Sequence, residues 1–271
     1  MKMLKYRLNY KAILISFLIL VFSISFTGCS YFQKRYEKTE TREFRLSSAG
    51  KTKIIVENND GNIVIKKNSS DSNIVINVEI ISYVTKKELN EPLKSYEINI
   101  DSISSEIRFS GKTTIRDRQI LYFGNWGRNS INYTVYLPAG LEAEVSSVNG
   151  KLETSNVTNN ITGSTVNGKI DVEKSSGILK LETTNGKISA KLDSTKGMKL
   201  DAVNGSVNLK LSPSFSGIFE ADIVNGSIKY DNFDFKDVNK DKKNFKAKLG
   251  NSNSEIKIST VNGSIKILKS N

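Results

Sequence analysis

Val148-Asn149-Gly150, Val166-Asn167-Gly168, Thr184-Asn185-Gly186, Val203-Asn204-Gly205, Val224-Asn225-Gly226 and Val261-Asn262-Gly263 punctuate the second half of a 271-residue chain. Each triplet is followed two residues later by Leu, Ile or Val. The asparagines advance by 18, 18, 19, 21 and 37 residues. The last step is about two periods, which predicts one degenerate unit between the fifth and sixth turns. Self-similarity at a fixed short period means one supersecondary unit stacked on copies of itself.

With each of these asparagines as position zero, positions −4, −2, +3 and +5 are mostly apolar or small, as in Leu200, Ala202, Val207 and Leu209. The residues between them are mostly Lys, Glu, Asp, Ser or Asn. That is the period-two pattern of strands with one face inward and one in water. Two all-β architectures fit. In a chain of hairpins, each Asn-Gly is a type I′ turn and Ala202 pairs antiparallel with Val207. In a single-stranded β-helix or β-solenoid, each Asn-Gly is a corner, and Asn185 and Asn204 lie on adjacent parallel rungs. The near-constant period favours the solenoid, with side-chain amides laddered along the corners and glycine supplying a positive φ.

The N-terminal half opens with a divergent copy, Asp60-Gly61 followed by Ile63, after the strand-like Lys53-Ile54-Ile55-Val56-Glu57. Asn73 to Val84 and Ser95 to Phe109 read as longer strands. Between them, Thr85-Lys86-Lys87-Glu88 has the form of a capping box and predicts one short helix, limited by Pro92. The expected organisation is a signal segment at 1–28, a flexible tether at 29–43, a β region with divergent repeats at 44–140, and regular repeats at 141–269.

Lys2, Lys5, Arg7 and Lys11 precede a mostly apolar run from Ala12 to about Phe26, the n- and h-regions of an export signal. The run closes on Phe26-Thr27-Gly28-Cys29-Ser30, which resembles a bacterial lipobox, with Phe26 departing from the usual Leu. Cleavage there would leave Cys29, the sole cysteine, as the diacylglycerol carrier. An uncleaved membrane anchor is the other reading, since the run is only just too short to span a bilayer comfortably. Either places the remaining chain outside the cytoplasm, and a single cysteine excludes an internal disulfide framework. Losing residues 1–28 removes four basic and no acidic side chains, so the formal charge falls from +12 to +8. The expected partners are the membrane, through the lipid, and an anionic envelope polymer, a glycan or another envelope protein. The lysines are spread along the repeats, and no run of them resembles a nucleic-acid patch.

Ile131 to Leu152, with a strand, Leu137-Pro138-Ala139-Gly140, a second strand and Val148-Asn149-Gly150-Lys151-Leu152, is similar to the DUF4097 group of bacterial proteins. The ending from Leu249 to Ile265 is similar to it as well, and the likeness covers roughly residues 44–268. The resemblance implies a right-handed β-helix-like fold on the cell envelope and an adhesin-like role, and it brings no catalytic residues.

The chain has no histidine, which excludes His-based triads and His metal sites. No cofactor and no metal site is expected. Glu182, Asp201, Glu220 and Asp222 alternate with apolar positions, as solvated strand faces do, and are poor candidates for carboxylate catalysis. Asp231, Asp234, Asp237 and Asp241 lack the glycine and terminal Glu of a calcium loop. The most irregular stretch holds Arg116, Arg118, Tyr122, Phe123, Trp126 and Arg128 in a Gly-broken sequence. It reads either as a ligand-contact loop, with aromatics for sugar rings and Arg for anions, or as an end cap over the solenoid core.

Overall fold

A computed structural model describes residues 35–69, 72–94, 96–113 and 129–270. Strands dominate: β1 (Tyr36–Leu46), β2 (Lys53–Asp60), β3 (Ile63–Lys67), β4 (Ile74–Val84), β5 (Tyr96–Ile103), β6 (Glu106–Thr113), β7 (Ser130–Leu137), β8 (Glu142–Asn149), β9 (Leu152–Ser155) and β10 (Ile161–Asn167). The chain continues with β11 (Ile170–Glu173), β12 (Ile178–Asn185), β13 (Ile188–Leu192), β14 (Gly197–Asn204), β15 (Val207–Leu211), β16 (Gly217–Tyr230), β17 (Phe235–Lys240), β18 (Asn244–Leu249) and β19 (Glu255–Lys269).

The repeats pair in parallel, each with its counterpart one period on. Asn149 lies beside Asn167, Asn167 beside Asn185, and Asn185 beside Asn204 in the register of β8, β10, β12 and β14. The shorter strands β9, β11, β13 and β15 stack in the same way on the other side of the corner. Each rung is therefore a longer strand, an Asn-Gly corner, a shorter strand and a return loop. Ala202 pairs with Thr183 and Thr260 in parallel neighbours, not with Val207. The interior is a single apolar cluster running from Ile54 to Ile267, with Leu179, Leu181, Ile188 and Leu192 as one rung's contribution. Stacking is what buries these faces, since no rung can cover its own apolar side.

Stack order departs from chain order at both ends, so the architecture is solenoid-like but not one uninterrupted coil. The first unit, β2–β3, sits between a rung made by β6 and β7 and the rung β8–β9. The last strand, β19, inserts between β14–β15 and β16. No degenerate rung occupies the 37-residue step. That interval instead holds β18, which pairs antiparallel with β16, and β17, which pairs antiparallel with β18. Antiparallel strands close the other end too, with β5 on β6, and β4 and β1 beyond β7. Aromatic side chains pack at both ends. Phe44, Phe109 and Tyr133 meet edge to face at one, and Phe219, Tyr230, Phe233 and Phe245 surround Phe235 at the other.

Three local expectations are corrected. Residues 36–43, expected to be tether, form most of β1 and pair with β4. The stretch Ser95–Phe109 is not one strand: β5 and β6 form a hairpin whose turn places Ser104 at φ 49°. The segment after Thr85 forms a five-residue 3-10 helix, Lys86–Asn90, in which the Glu88 carboxylate accepts from both the backbone N–H and the hydroxyl of Thr85. The expected division at residue 140 is bridged by the β2–β8 and β3–β9 pairings.

Candidate functional site

The corners form two polar columns. On the outside, amides ladder from rung to rung: Asn167 Nδ2 donates to Asn149 Oδ1, Asn185 to Asn167, Asn204 to Asn185 and Asn262 to Asn204, each at 3.0 Å. Asn225 donates to Asn262 at 2.9 Å, consistent with the inserted last strand. Every amide donates in one direction, and the ladder terminates where Asn149 donates to the Asp60 carboxylate at 2.9 Å. An acceptor-only group belongs at that end, which accounts for Asp in the divergent copy. On the inside, hydroxyls at position −2 donate to the glycine carbonyl of the neighbouring corner: Ser147 to Gly61, Thr165 to Gly150, Thr183 to Gly168 and Thr260 to Gly205.

The reason for glycine differs from the one expected. Of Gly150, Gly168, Gly186, Gly205, Gly226 and Gly263, only Gly226 has a positive φ, 140°. At the others a Cβ would overlap the carbonyl oxygen of the glycine on the next rung. Backbone pairing continues through the corner, with Gly168 N–H donating to Asn185 O and Gly186 N–H to Asn204 O, both at 3.2 Å. That pairing presses stacked corners too close for a side chain.

Next to the amide ladder, a shallow groove of about 660 Å³ crosses the longer strands along the stacking direction, from β5 and β6 through β2, β8, β10, β12 and β14 to β19. Seven strand spacings of about 4.8 Å give it a length of roughly 34 Å. Two outward rails line it. The residues at −3 form a polar rail of Glu57, Ser146, Ser164, Glu182, Asp201 and Ser259; those at −1 form a second rail of Asn59, Val148, Val166, Thr184, Val203 and Val261. The four valines of this rail are 40–43% exposed. Two of the carboxylates are held by neighbouring cations, Glu57 by Arg108 at 2.9 Å and Asp201 by Lys199 at 2.8 Å, and Asp201 also accepts from the Ser259 hydroxyl at 2.6 Å.

The sequence reading placed no site here. The signal was present, because a valine at −1 is out of phase with inward positions at −4 and −2, yet it recurs in five of the six triplets.

Glu182 and Asp201 line the groove. Glu220 lies on β16 and pairs with Lys246 at 2.6 Å, which draws its carboxyl below the usual range; Asp222 faces Asn244 across the β16–β18 ladder. Asp231 accepts from the Lys269 backbone N–H at the end of β19, and Asp241 accepts from the backbone N–H groups of Lys243 and Asn244 in a local turn. Among the described residues, no group of three or more His, Cys, Asp or Glu could hold a metal. Cys29 and the Arg116, Arg118, Tyr122, Phe123, Trp126 and Arg128 stretch lie outside the described residues. No helix of the described residues is long and apolar enough to cross a membrane.

Among the described residues, stacked corners, ends covered by antiparallel strands and an elongated lateral groove define a repeat-built β scaffold. The chain belongs to the Toastrack DUF4097 family, whose model matches residues 26–268. No curated protein matches it. Among solved structures it is similar to a provisionally assigned cell adhesion protein from Clostridium sporogenes ATCC 15579, at 15% identity, covering 86% of this chain and 100% of that one, with a TM-score of 0.49. A provisionally assigned adhesin from Parabacteroides merdae ATCC 43184 is 13% identical, with coverage of 86% and 97% and a TM-score of 0.39. Another from Bacteroides fragilis NCTC 9343 is 13% identical over the same shares, with a TM-score of 0.25.

Proposed function

We propose that this chain is a non-enzymatic, adhesin-like contact module of the bacterial cell envelope, anchored by a lipid on Cys29. The observation that carries the reading is the groove: long, open to solvent, built from side chains on paired strands and crossing one rung after another. Such a surface suits an extended partner better than a small substrate, which needs an enclosed pocket with a few convergent groups. Its paired carboxylates also differ from a general acid, which needs a carboxyl raised by apolar surroundings.

The lipid anchor rests on the position of the sole cysteine after an export-type segment. Seven residue steps separate Cys29 from Tyr36 at the start of β1, a reach of at most about 25 Å, so the scaffold would be held close to the membrane surface. We read the crossovers between successive longer strands as right-handed, the hand that strand twist favours. Cell fractionation tests the anchor. Cys29→Ala is expected to leave the membrane fraction while keeping its fold, and retention of that variant in the membrane would contradict lipid anchoring.

A further inference from the structure

We propose that the Asn225-Gly226 corner is the site at which the folded chain deamidates, a self-modification site at one end of the amide ladder that needs water alone as co-reactant.

All six Asn-Gly pairs carry the same latent chemistry. The glycine backbone nitrogen loses its proton and attacks Cγ of the asparagine; the bond from Cγ to Nδ2 breaks and ammonia leaves. The five-membered succinimide so formed takes up water at either carbonyl and opens to an aspartyl or an isoaspartyl residue. Glycine favours closure because no Cβ crowds the attacking nitrogen. The fold decides which pair is able to react.

In the interior both reacting groups are held. Gly168, Gly186 and Gly205 donate their N–H to the asparagine carbonyl of the following rung, which ties the nucleophile into sheet pairing. Asn149, Asn167, Asn185, Asn204 and Asn262 each donate one ladder bond and accept another, which fixes the side-chain amide along the column. Ring closure at these corners requires a rung to open locally first.

The last rung differs on each count. No corner follows β16 in the stack, since β18 pairs with it only over Gly217–Asp222. Asp231 N–H donates to Ile267 O, and in a parallel pair alternate residues of one strand bond the partner. Ser227, Lys229 and Asp231 therefore face β19, while the N–H of Gly226 points off the end of the stack. Gly226 is the only exposed glycine of the six, and the only one at positive φ. Asn225 donates its single ladder bond to Asn262, and among the described residues no group donates to its Oδ1.

The product changes the ladder because the ladder has a direction. A carboxylate only accepts hydrogen bonds. That suits Asp60, which receives the bond from Asn149 at the other end. At position 225 it removes the donor on which Asn262 Oδ1 depends. The reaction thus unfastens the last corner, and an isoaspartyl link also lengthens the backbone of β16.

Tryptic peptide mass spectrometry of the full-length chain, aged in detergent micelles at mildly alkaline pH, tests the proposal. Each Asn-Gly pair lies between its own basic residues and falls in a separate peptide, and Asn225 is the only amide residue between Lys210 and Lys229. Asn225 is expected to convert about tenfold faster than Asn185 or more, because only the interior corner must open first. Its rate is expected to rise with pH, since the attacking nitrogen must lose a proton. In concentrated urea the preference is expected to vanish, as all six pairs are then equally free. The proposal is overturned if Asn225 converts no faster than Asn185 in the folded chain, or if an interior asparagine converts first. It is also overturned if no pair converts in the folded chain while all react in urea, or if the preference for Asn225 persists in urea and so belongs to local sequence.

Discussion

An alanine at Gly186 would drive its methyl group into the Gly168 carbonyl oxygen, which cannot retreat because its own corner is paired to the next rung. Gly186→Ala is expected to cost roughly 3 kcal/mol or more, the scale of an overpacked site that cannot relax, and urea unfolding measures it. The same change at Gly50, where a Cβ meets nothing, is expected to cost far less, though its φ of 70° keeps it above zero. Asn185→Ala removes two ladder bonds, one donated to Asn167 and one accepted from Asn204. With neutral bonds at about 0.5–1.5 kcal/mol each and the ladder open to water, a loss of about 1–2 kcal/mol is expected. The contrast between glycine and asparagine was only half legible in sequence. The recurring pair announced a corner, but whether glycine supplies a backbone angle or an absent side chain depends on what stacks above it.

At the scale of the strand, two of the six corners lack the inner hydroxyl. Position −2 is Ser147, Thr165, Thr183 or Thr260 on four rungs, Ala202 on a fifth and Ile223 on the sixth. Ala202→Thr is expected to supply the Gly186 carbonyl with the bond its neighbours receive. That contributes about 1 kcal/mol, or a thermal midpoint higher by about 2–4 °C. A second cross-rung contact is ionic. Burial alone would raise the Asp171 carboxyl, but the ammonium groups of Lys169 at 2.6 Å and Lys151 at 3.0 Å outweigh it and leave the pKa below the usual range. A carboxyl depressed in the folded state contributes stability above its unfolded pKa, about 3.9, and loses it as pH falls through the folded value. Asp171→Asn is therefore expected to be less stable than wild type at pH 7, by about 1 kcal/mol or less for so accessible a pair, with the difference closing in acid below about pH 4.

The interior strands were readable because a period-two pattern on an 18-residue repeat leaves few alternatives. The ends were not. Insertion of β19 beside β14 depends on which strand finds the better partner, and the 37-residue step is equally compatible with a missing rung. The hairpin of β5 and β6 was hidden because its turn, Ser104-Ser105, carries neither glycine nor proline.

Over the whole molecule, the lack of histidine leaves no ordinary side chain in the described residues to titrate between about pH 5 and 8. The groups with displaced values lie outside that window. The Glu88, Asp171, Glu220 and Asp241 carboxyls are lowered, and the Lys53, Lys151, Lys199, Lys246 and Lys257 ammoniums are raised by carboxylate neighbours. The first set contributes stability lost in acid. The second contributes stability present below about pH 10.4 and lost as pH rises through the raised values. The thermal midpoint is accordingly expected to stay level between about pH 5 and 8 and to fall on both sides; a slope across that plateau would point to a coupling absent from these contacts.

The same scale holds the central claim, that coils stack in register while the last strand returns to the penultimate place. Paired cysteines in a Cys29→Ser background test it directly, because a disulfide forms only where Cα atoms lie about 4.4–6.8 Å apart. Asp201 and Ser259 are neighbours in the register of β14 and β19, whereas Asp201 and Asp222 have β19 between them. Oxidation is expected to cross-link Asp201→Cys with Ser259→Cys and to leave Asp201→Cys with Asp222→Cys reduced. Cross-linking of the second pair but not the first would mean that the rungs stack in simple chain order, and would contradict the account.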